Sequence, residues 1–107
     1  MSQLDAIFQP LAINKLTIRN RVISTAHAEV YATENGMPTE RYIKYYEEKA
    51  KGGIGLCVCG GSSPVSIDSP QHWWSSVNVS TDDVIPHFQN LADAMHKHGA
   101  AIMIQLT

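Results

Sequence analysis

The chain has 107 residues, a formal net charge of −2 and 44% apolar residues, values that are ordinary for a globular protein. This length accommodates at most one domain, and the small negative charge argues against a surface built to bind nucleic acid. No apolar run approaches the roughly 18 residues that cross a membrane. The first residues also lack the basic and apolar regions of a signal peptide. We therefore expect a cytoplasmic protein that binds neither nucleic acid nor membrane.

The N-terminal part predicts a short β-hairpin over Leu11–Ile18, because apolar and β-branched residues lie on both sides of a central polar pair. Asn14 in that pair suits a turn position with positive φ. The next apolar run, Arg21–Ala26, predicts a strand that loses its apolar character at its carboxyl end. In α/β sheets this is the end at which ligands bind.

Residues Glu40–Lys51 predict an amphipathic helix with Thr39 as its N-cap and Gly52-Gly53 at its end. Its apolar positions recur at helical spacing and predict packing against the sheet. The opposite side, in solvent, is expected to carry the charged positions Arg41, Lys44, Glu47, Glu48 and Lys51. Two i,i+4 ion pairs are expected, Glu40–Lys44 and Glu47–Lys51.

A second strand is predicted over Ile54–Cys59, followed at its carboxyl end by two glycines and two serines. Cys57 and Cys59 alternate within it, so both side chains point to one face. They could form half of a metal site, but no further cysteine and no histidine at ligand spacing accompanies them. We interpret them as buried, reduced thiols and predict no metal site.

The region from Pro64 to Val79 is long and irregular, and Trp73-Trp74 lie in its middle. The tryptophans either form a wall for a substrate cation or pack in the core or a subunit interface, and the second interpretation is favoured. Ser80 and Asp83 have the spacing of a capping box. A helix is predicted near Pro86–His98, and a third strand over Ala101–Leu106.

Strand, helix, strand, helix and strand in this order predict a parallel sheet. Parallel strands need cover on both faces and neighbours on both edges. We therefore expect the chain to form the start of a larger enzyme.

The carboxyl ends of the three strands converge at residues 25–29, 60–63 and 105–107. Small residues there permit close approach of main chain to a flat ligand. The amide of Gln105 can donate and accept hydrogen bonds, which suits a heterocycle with adjacent N–H and C=O groups. The alternative is that the glycines serve only turn geometry. The sequence contains neither phosphate-loop motif nor nucleophile elbow.

Three ordered blocks resemble the N-terminus of the Old Yellow Enzyme-like FMN oxidoreductases. They are Ile18-Arg19-Asn20-Arg21-Val22, the stretch from Tyr42 to Leu56 with its Gly52-Gly53-Ile54-Gly55 core, and Gly99-x-x-Ile102-x-Ile104-Gln105-Leu106. The stretches 24–31 and 68–78 look most similar to the N-methyl amino-acid demethylase subunits of the trimethylamine dehydrogenase-like branch, such as dimethylglycine demethylase.

The resemblance implies an α/β fold in which residues 1–107 form an N-terminal hairpin and the first three βα units of a (β/α)8 TIM barrel, the barrel being incomplete. It also implies FMN as cofactor. The residues that match the family's flavin contacts are Thr25, Ala26, His27, Ala28, Gly61 and Gln105.

Two departures from trimethylamine dehydrogenase matter. Ala28 takes the place of the cysteine that links covalently to flavin, so we expect FMN to be held non-covalently. Gly61 takes the place of an aromatic wall for the cationic substrate, so the same substrate is not expected. The catalytic acid and base would lie beyond Thr107, as would any 4Fe–4S cluster and second nucleotide cofactor.

The expected reaction is oxidative N-demethylation of a methylated amine or amino acid, a small molecule, by a homo-oligomer or an assembly with partner subunits. The first alternative is flavin-dependent reduction of an activated C=C bond, as in dienoyl-CoA or enone reductases. The second is an inactive truncated fragment. In either enzyme the isolated 107-residue chain is expected to be inactive.

Overall fold

The computed structural model describes residues 2–69 and 76–107. Trp73-Trp74 lie outside the described residues, and both interpretations of them stay untested. Within the described ranges, no helix is long and apolar enough to cross a membrane.

The hairpin is confirmed. Strand β1 (Leu11–Ile13) pairs antiparallel with β2 (Leu16–Ile18), and Asn14 in the turn has a φ of 54°. A short 3-10 helix, Gln3–Phe8, precedes the hairpin and was not predicted. It has no buried residue, so no apolar periodicity marks it in the sequence.

The three-stranded parallel sheet is also confirmed. Strands β3 (Ile23–Ser24), β4 (Leu56–Cys59) and β5 (Ala101–Ile104) lie in the order β3-β4-β5, and both pairings are parallel. Each strand is shorter than predicted, and β3 most of all. Its ladder with β4 joins only two residue pairs, because the chain beyond Ser24 leaves the sheet to form a loop.

Helix α1 spans Glu40–Lys51, as predicted, and the Oγ1 of Thr39 accepts a hydrogen bond from the amide of Tyr42 at 3.1 Å. The chain leaves the helix through Gly53, which has a φ of +100°. Gly53 N–H donates to Ala50 O at 3.1 Å, and Ile54 N–H donates to Lys49 O at 3.4 Å. This is the Schellman arrangement, and it satisfies carbonyls that the helix end leaves without partners.

Helix α2 spans Ile85–His96, with Pro86 in its first turn as predicted, and Gly99 (φ +77°) follows its end. The capping box is wrong. A 3-10 turn at Asp82–Val84 leads directly into the helix, and Ser80 N–H instead donates to Asn78 Oδ1 at 2.8 Å. Among the described residues, no side chain caps the N-terminus of α2. The 3-10 turn supplies the acceptor for Ile85 N–H, so the helix start does not depend on a serine cap.

The core lies between the sheet and the two helices. Its most deeply buried side chains include tyrosines of α1, both cysteines of β4 and apolar residues of α2, namely Tyr42, Tyr46, Cys57, Cys59, Leu91 and Met95. The prediction that the cysteines share a buried face is therefore confirmed, as is the packing role of the tyrosines.

The solvent position predicted for Glu47 is wrong, because its side chain is only 6% exposed. Helix α2 covers that flank of α1, and His98 beyond its end contacts the carboxylate. The ion pairs of α1 also differ from the expected i,i+4 spacing. They join Lys44 to Glu47 and Glu48 to Lys51, three residues apart.

Candidate functional site

The carboxyl ends of β4 and β5 stay paired beyond the strands. Gln105 N–H donates to Cys59 O at 2.9 Å, and Thr107 N–H donates to Ser63 O at 2.9 Å. The carbonyl of Thr107 in turn accepts from Val65 N–H at 3.0 Å. The loop after β4 therefore lies alongside the residues that follow β5, as expected when the carboxyl ends of parallel strands meet at one edge of the sheet.

The loop after β3 contacts the loop after β4 through main chain. A Cβ atom built on Gly61 would lie 2.5 Å from both Ala28 N and His27 C, far inside van der Waals contact. Gly61 also has a φ of +51°, in the left-handed region that L residues avoid. Only glycine at this position lets the two loops approach so closely.

Gly60 performs a similar role toward the third strand. Its φ is +90°, and an added Cβ would lie 2.5 Å from Ser63 Oγ and 3.2 Å from Gln105 O. The glycine pair thus serves more than turn geometry, since it permits close packing on both sides of the β4 loop. We refer to the resulting surface, residues 25–28, 60–61 and 105, as the strand-end surface.

The amide of Gln105 lies on the strand-end surface. Its Nε2 donates to Gly61 O at 3.1 Å, and the residue is exposed. An amide has two N–H donors and one carbonyl acceptor, so its oxygen and its second N–H can contact a ligand. The bond to Gly61 holds the amide at the junction of the three strand ends.

The ring of His27 turns toward α1. Its Nε2 lies 2.7 Å from the hydroxyl of Tyr45, and its Nδ1 lies 3.3 Å from Thr25 O. Because a carbonyl can only accept, the network assigns the proton to Nδ1 and makes Nε2 the acceptor for the Tyr45 hydroxyl. His27 therefore offers its main chain, rather than its ring, to the strand-end surface. Thr25 and Ala28 are exposed, and Ala26 is half-buried.

A cluster of polar side chains, Glu29, Tyr42 and Tyr46, lies behind the strand-end surface. The sequence predicts only a packing role for the two tyrosines. Tyr46 OH donates to Glu29 Oε1 at 2.9 Å. Burial and the nearby Glu29 carboxylate raise the pKa of both Tyr46 and Tyr42, so both phenols stay protonated. Burial likewise raises the pKa of Cys59 to about 11, which keeps its thiol neutral and unreactive. The sequence signal for this group is weak, a single acidic residue just beyond an apolar strand.

Residues 6–107 match the model of the NADH:flavin oxidoreductase / NADH oxidase family. The chain belongs to this family. Members of the family bind FMN.

Two curated relatives and one solved structure illustrate the similarity. The N,N-dimethylglycine/sarcosine dehydrogenase of Chromohalobacter salexigens is 79% identical over 103 residues, which is 96% of this chain and 15% of that protein. The multifunctional alkene reductase/demethylase OYE of Caballeronia cordobensis is 47% identical over the same shares. The old yellow enzyme of Trypanosoma cruzi, 27% identical, superimposes with a TM-score of 0.84 over 98% of this chain and 27% of that one. The chain thus spans about a sixth of the length of these two curated relatives. The three parallel strands of the described residues form part of a TIM barrel and do not close a barrel by themselves.

The strand-end surface consists mostly of main chain and small side chains. The Gln105 amide contacts Gly61, and both glycines are held in close contact with neighbouring main chain. The structure brings four of the six predicted flavin contacts together directly, namely His27, Ala28, Gly61 and Gln105. The carbonyl oxygen of Thr25 lies 3.3 Å from His27 Nδ1, and Ala26 lies between these two residues in the sequence. Their contact with flavin stays a prediction.

Proposed function

We propose that this chain is part of an FMN-dependent oxidoreductase that oxidatively removes N-methyl groups from small amino acids of the dimethylglycine and sarcosine type. The observation that carries the proposal is the 79% identity to a dimethylglycine/sarcosine dehydrogenase over nearly the whole chain. Because the chain spans 15% of that enzyme, the activity of the whole protein rests on this likeness.

The contribution of this chain would be to hold one side of the cofactor. The main chain at Ala28 and Gly61 offers a flat, side-chain-free surface, and the free O and N–H of Gln105 suit the pyrimidine edge of a flavin. FMN, when bound, supplies the hydride acceptor. Ala28 carries no sulfur, so the cofactor would be held by packing and hydrogen bonds alone.

In the proposed reaction, the hydride acceptor that FMN supplies would be the only oxidant needed to oxidise the substrate. An N-methyl C–H bond would break, its hydride would pass to that acceptor, and the substrate would remain as an iminium ion. Water then adds to the iminium carbon, and the C–N bond breaks to release formaldehyde, a proton and the demethylated amine. The acid and base for these steps lie outside residues 1–107 in this proposal.

A second candidate function is reduction of an activated C=C bond. It is favoured by the 47% identity to a relative described as both an alkene reductase and a demethylase. The two reactions use hydride flow in opposite directions, and fold alone does not distinguish them.

Several further properties belong to the same proposal. The two cysteines are free and buried, which suits the reducing cytoplasm. The full protein would form a homo-oligomer or bind partner subunits, and any 4Fe–4S cluster and second nucleotide cofactor would lie in segments outside this chain. The isolated chain would be inactive.

The test uses the full-length protein reconstituted with FMN under anaerobic conditions. Addition of dimethylglycine or sarcosine should bleach the visible flavin absorbance, with one formaldehyde formed per flavin reduced. Glycine, which has no N-methyl group, is the control and should leave the spectrum unchanged. If neither methylated amine bleaches the flavin, but 2-cyclohexenone reoxidises flavin that was first reduced chemically, the alkene reductase is favoured instead.

A further inference from the structure

A small cavity lies behind the strand-end surface, between the β3 and β4 loops and helix α1. Its volume is about 10 Å³, and its wall includes Ala28, Glu29, Gly60, Ser62 and, from α1, Tyr42. A cavity of this size holds about one water molecule, provided that it offers polar partners.

Three buried polar atoms belong to residues that line this cavity. They are Glu29 Oε2, Tyr42 OH and Ser62 Oγ, and none has a hydrogen-bond partner among the described residues. Tyr42 is 2% exposed and Ser62 is 4% exposed, so bulk water does not compensate them. The Tyr42 hydroxyl faces the Glu29 carboxylate, the Tyr46 hydroxyl and the Cys59 thiol, but it makes no hydrogen bond of standard geometry to any of them. Buried polar groups almost always have a hydrogen-bond partner, and the residues that carry these three atoms share one cavity in which a single partner can serve them all.

The chemistry of the three atoms matches a single water. The carboxylate oxygen can only accept, the phenol can donate, and the serine hydroxyl can do either. A water that donates to Glu29, accepts from Tyr42 and bonds to Ser62 makes three hydrogen bonds, the usual number for a buried water. The other oxygen of Glu29 already accepts from Tyr46, so this water would complete the carboxylate's coordination.

The main chain beside the cavity adopts an unfavourable conformation. Val30, which also lines it, has a φ of +51°, a conformation that β-branched residues rarely adopt. Strain of this kind persists only where surrounding contacts hold it. The residues just before Val30 in the chain, His27 and Ala28, make the close contact with Gly61.

We propose that the cavity binds one water molecule, which bridges Glu29 Oε2, Tyr42 OH and Ser62 Oγ and so joins the β3 and β4 loops to helix α1. Ala28 and Gly60 contribute to the wall of the cavity and also border the strand-end surface. Loss of the water would therefore disturb the surface from behind. In this role Ser62 and Tyr42 are positioning residues that need not touch the cofactor.

The first test is a high-resolution crystal structure of the full-length protein. We expect one peak of density within hydrogen-bond distance of all three atoms. A dry cavity, or one filled by a side chain, would overturn the proposal. So would a cation, recognised by shorter oxygen distances and by a melting temperature that depends on the choice of Na⁺ or K⁺.

The second test compares Ser62→Ala with Ser63→Ala. Ser63 is adjacent and equally buried, and its hydroxyl also has no partner among the described residues, but it does not line the cavity. Ser62→Ala should lose the water or lower its occupancy, whereas Ser63→Ala should keep it. Tyr42→Phe, which preserves shape, provides a second variant that should also lose the water if Ser62→Ala does not fold.

A third readout is FMN affinity, and this part alone rests on the proposed function. Loss of one hydrogen-bond partner of the water should raise the Kd for FMN by roughly two- to tenfold in Ser62→Ala and by less in Ser63→Ala. Equal Kd values in the two variants would contradict the link to the strand-end surface. A protein that binds no FMN at all would overturn the proposed function, while the density in the cavity still decides the water.

Discussion

His98, just beyond the end of α2, hydrogen-bonds to Glu47 in the middle of α1. Its Nε2 lies 3.1 Å from Glu47 Oε1, and Lys44 Nζ donates to the other carboxylate oxygen at 3.0 Å. The hydrogen bond to His98 is the main cause that lowers the pKa of Glu47 to about 2, followed by the bond to Lys44. This contact links the two helices through side chains that lie 51 residues apart in sequence.

The lowered pKa of Glu47 predicts an acid-dependent loss of stability. The group favours the folded state while it is ionised, so its contribution is complete above its ordinary pKa of 4.5 and is lost as the pH falls to about 2. In the full-length protein, the free energy of unfolding measured in urea should fall across this window. Glu47→Gln should remove that part of the pH dependence. Glu48→Gln, an exposed carboxylate one position along, should retain it.

Arg19 predicts a large structural effect far from the strand-end surface. Its guanidinium donates to Ala50 O at 2.8 Å, Ile54 O at 3.0 Å and His98 O at 2.6 Å, and so satisfies carbonyls at the ends of both helices. Arg19→Ala should lower the free energy of unfolding by roughly 2–4 kcal/mol, because three carbonyls lose a charged donor. Arg19→Lys should recover only part of this, since an ammonium cannot span the three acceptors. A change below about 1 kcal/mol, close to that of the exposed neighbour variant Arg21→Ala, would contradict this prediction.

Gly61 and Gly53 form a matched pair for testing the contact between the loops. Both have positive φ, but a Cβ on Gly53 would meet nothing within 4 Å, whereas one on Gly61 would meet main chain at 2.5 Å. Gly53→Ala should therefore cost about 1–2 kcal/mol of stability from backbone strain, with FMN affinity unchanged. Gly61→Ala should displace the β3 loop and weaken FMN binding more than tenfold, as measured by fluorescence titration of the apoprotein. Equal FMN affinities in the two variants would count against a direct role of this contact.

Gln105 predicts a moderate effect on cofactor affinity. Its amide would exchange hydrogen bonds with the flavin, and each net bond contributes about 0.5–1.5 kcal/mol. Gln105→Ala should accordingly weaken FMN binding by roughly tenfold without abolishing it. Gln105→Glu tests the chemistry, because it keeps the acceptor and removes the donors. If Gln105→Ala binds FMN as tightly as the wild type does, Gln105 is not a flavin contact.

Ala28 predicts a non-covalent cofactor. Its methyl side chain offers no nucleophile at the position that the resemblance to trimethylamine dehydrogenase would assign to a flavin-linked cysteine, and the cysteines of β4 are buried. Acid precipitation of the full-length holoprotein should release all FMN into the supernatant. Yellow colour that stays in the washed pellet would show a covalent link and overturn this assignment.

Local sequence determined most of the elements. The run of charged and apolar residues over Glu40–Lys51, with Thr39 before it and glycines after it, specifies α1 to the residue, because caps and helical periodicity act over a few positions. The alternation of strands and helices likewise determined the parallel sheet. The order of short motifs along the chain was enough to indicate the family.

Tertiary structure alone decided which polar groups are buried and which loops touch. Glu47 belongs to the charged side of its helix by periodicity, and only the arrival of α2 removes it from solvent. The clash distance at Gly61 depends on where a loop more than 30 residues earlier in the chain comes to lie. The hydrogen-bond partner of Glu29, Tyr46, likewise comes from α1. These contacts join residues distant in sequence, so no local propensity or spacing encodes them, and they exist only once the sheet and helices pack together.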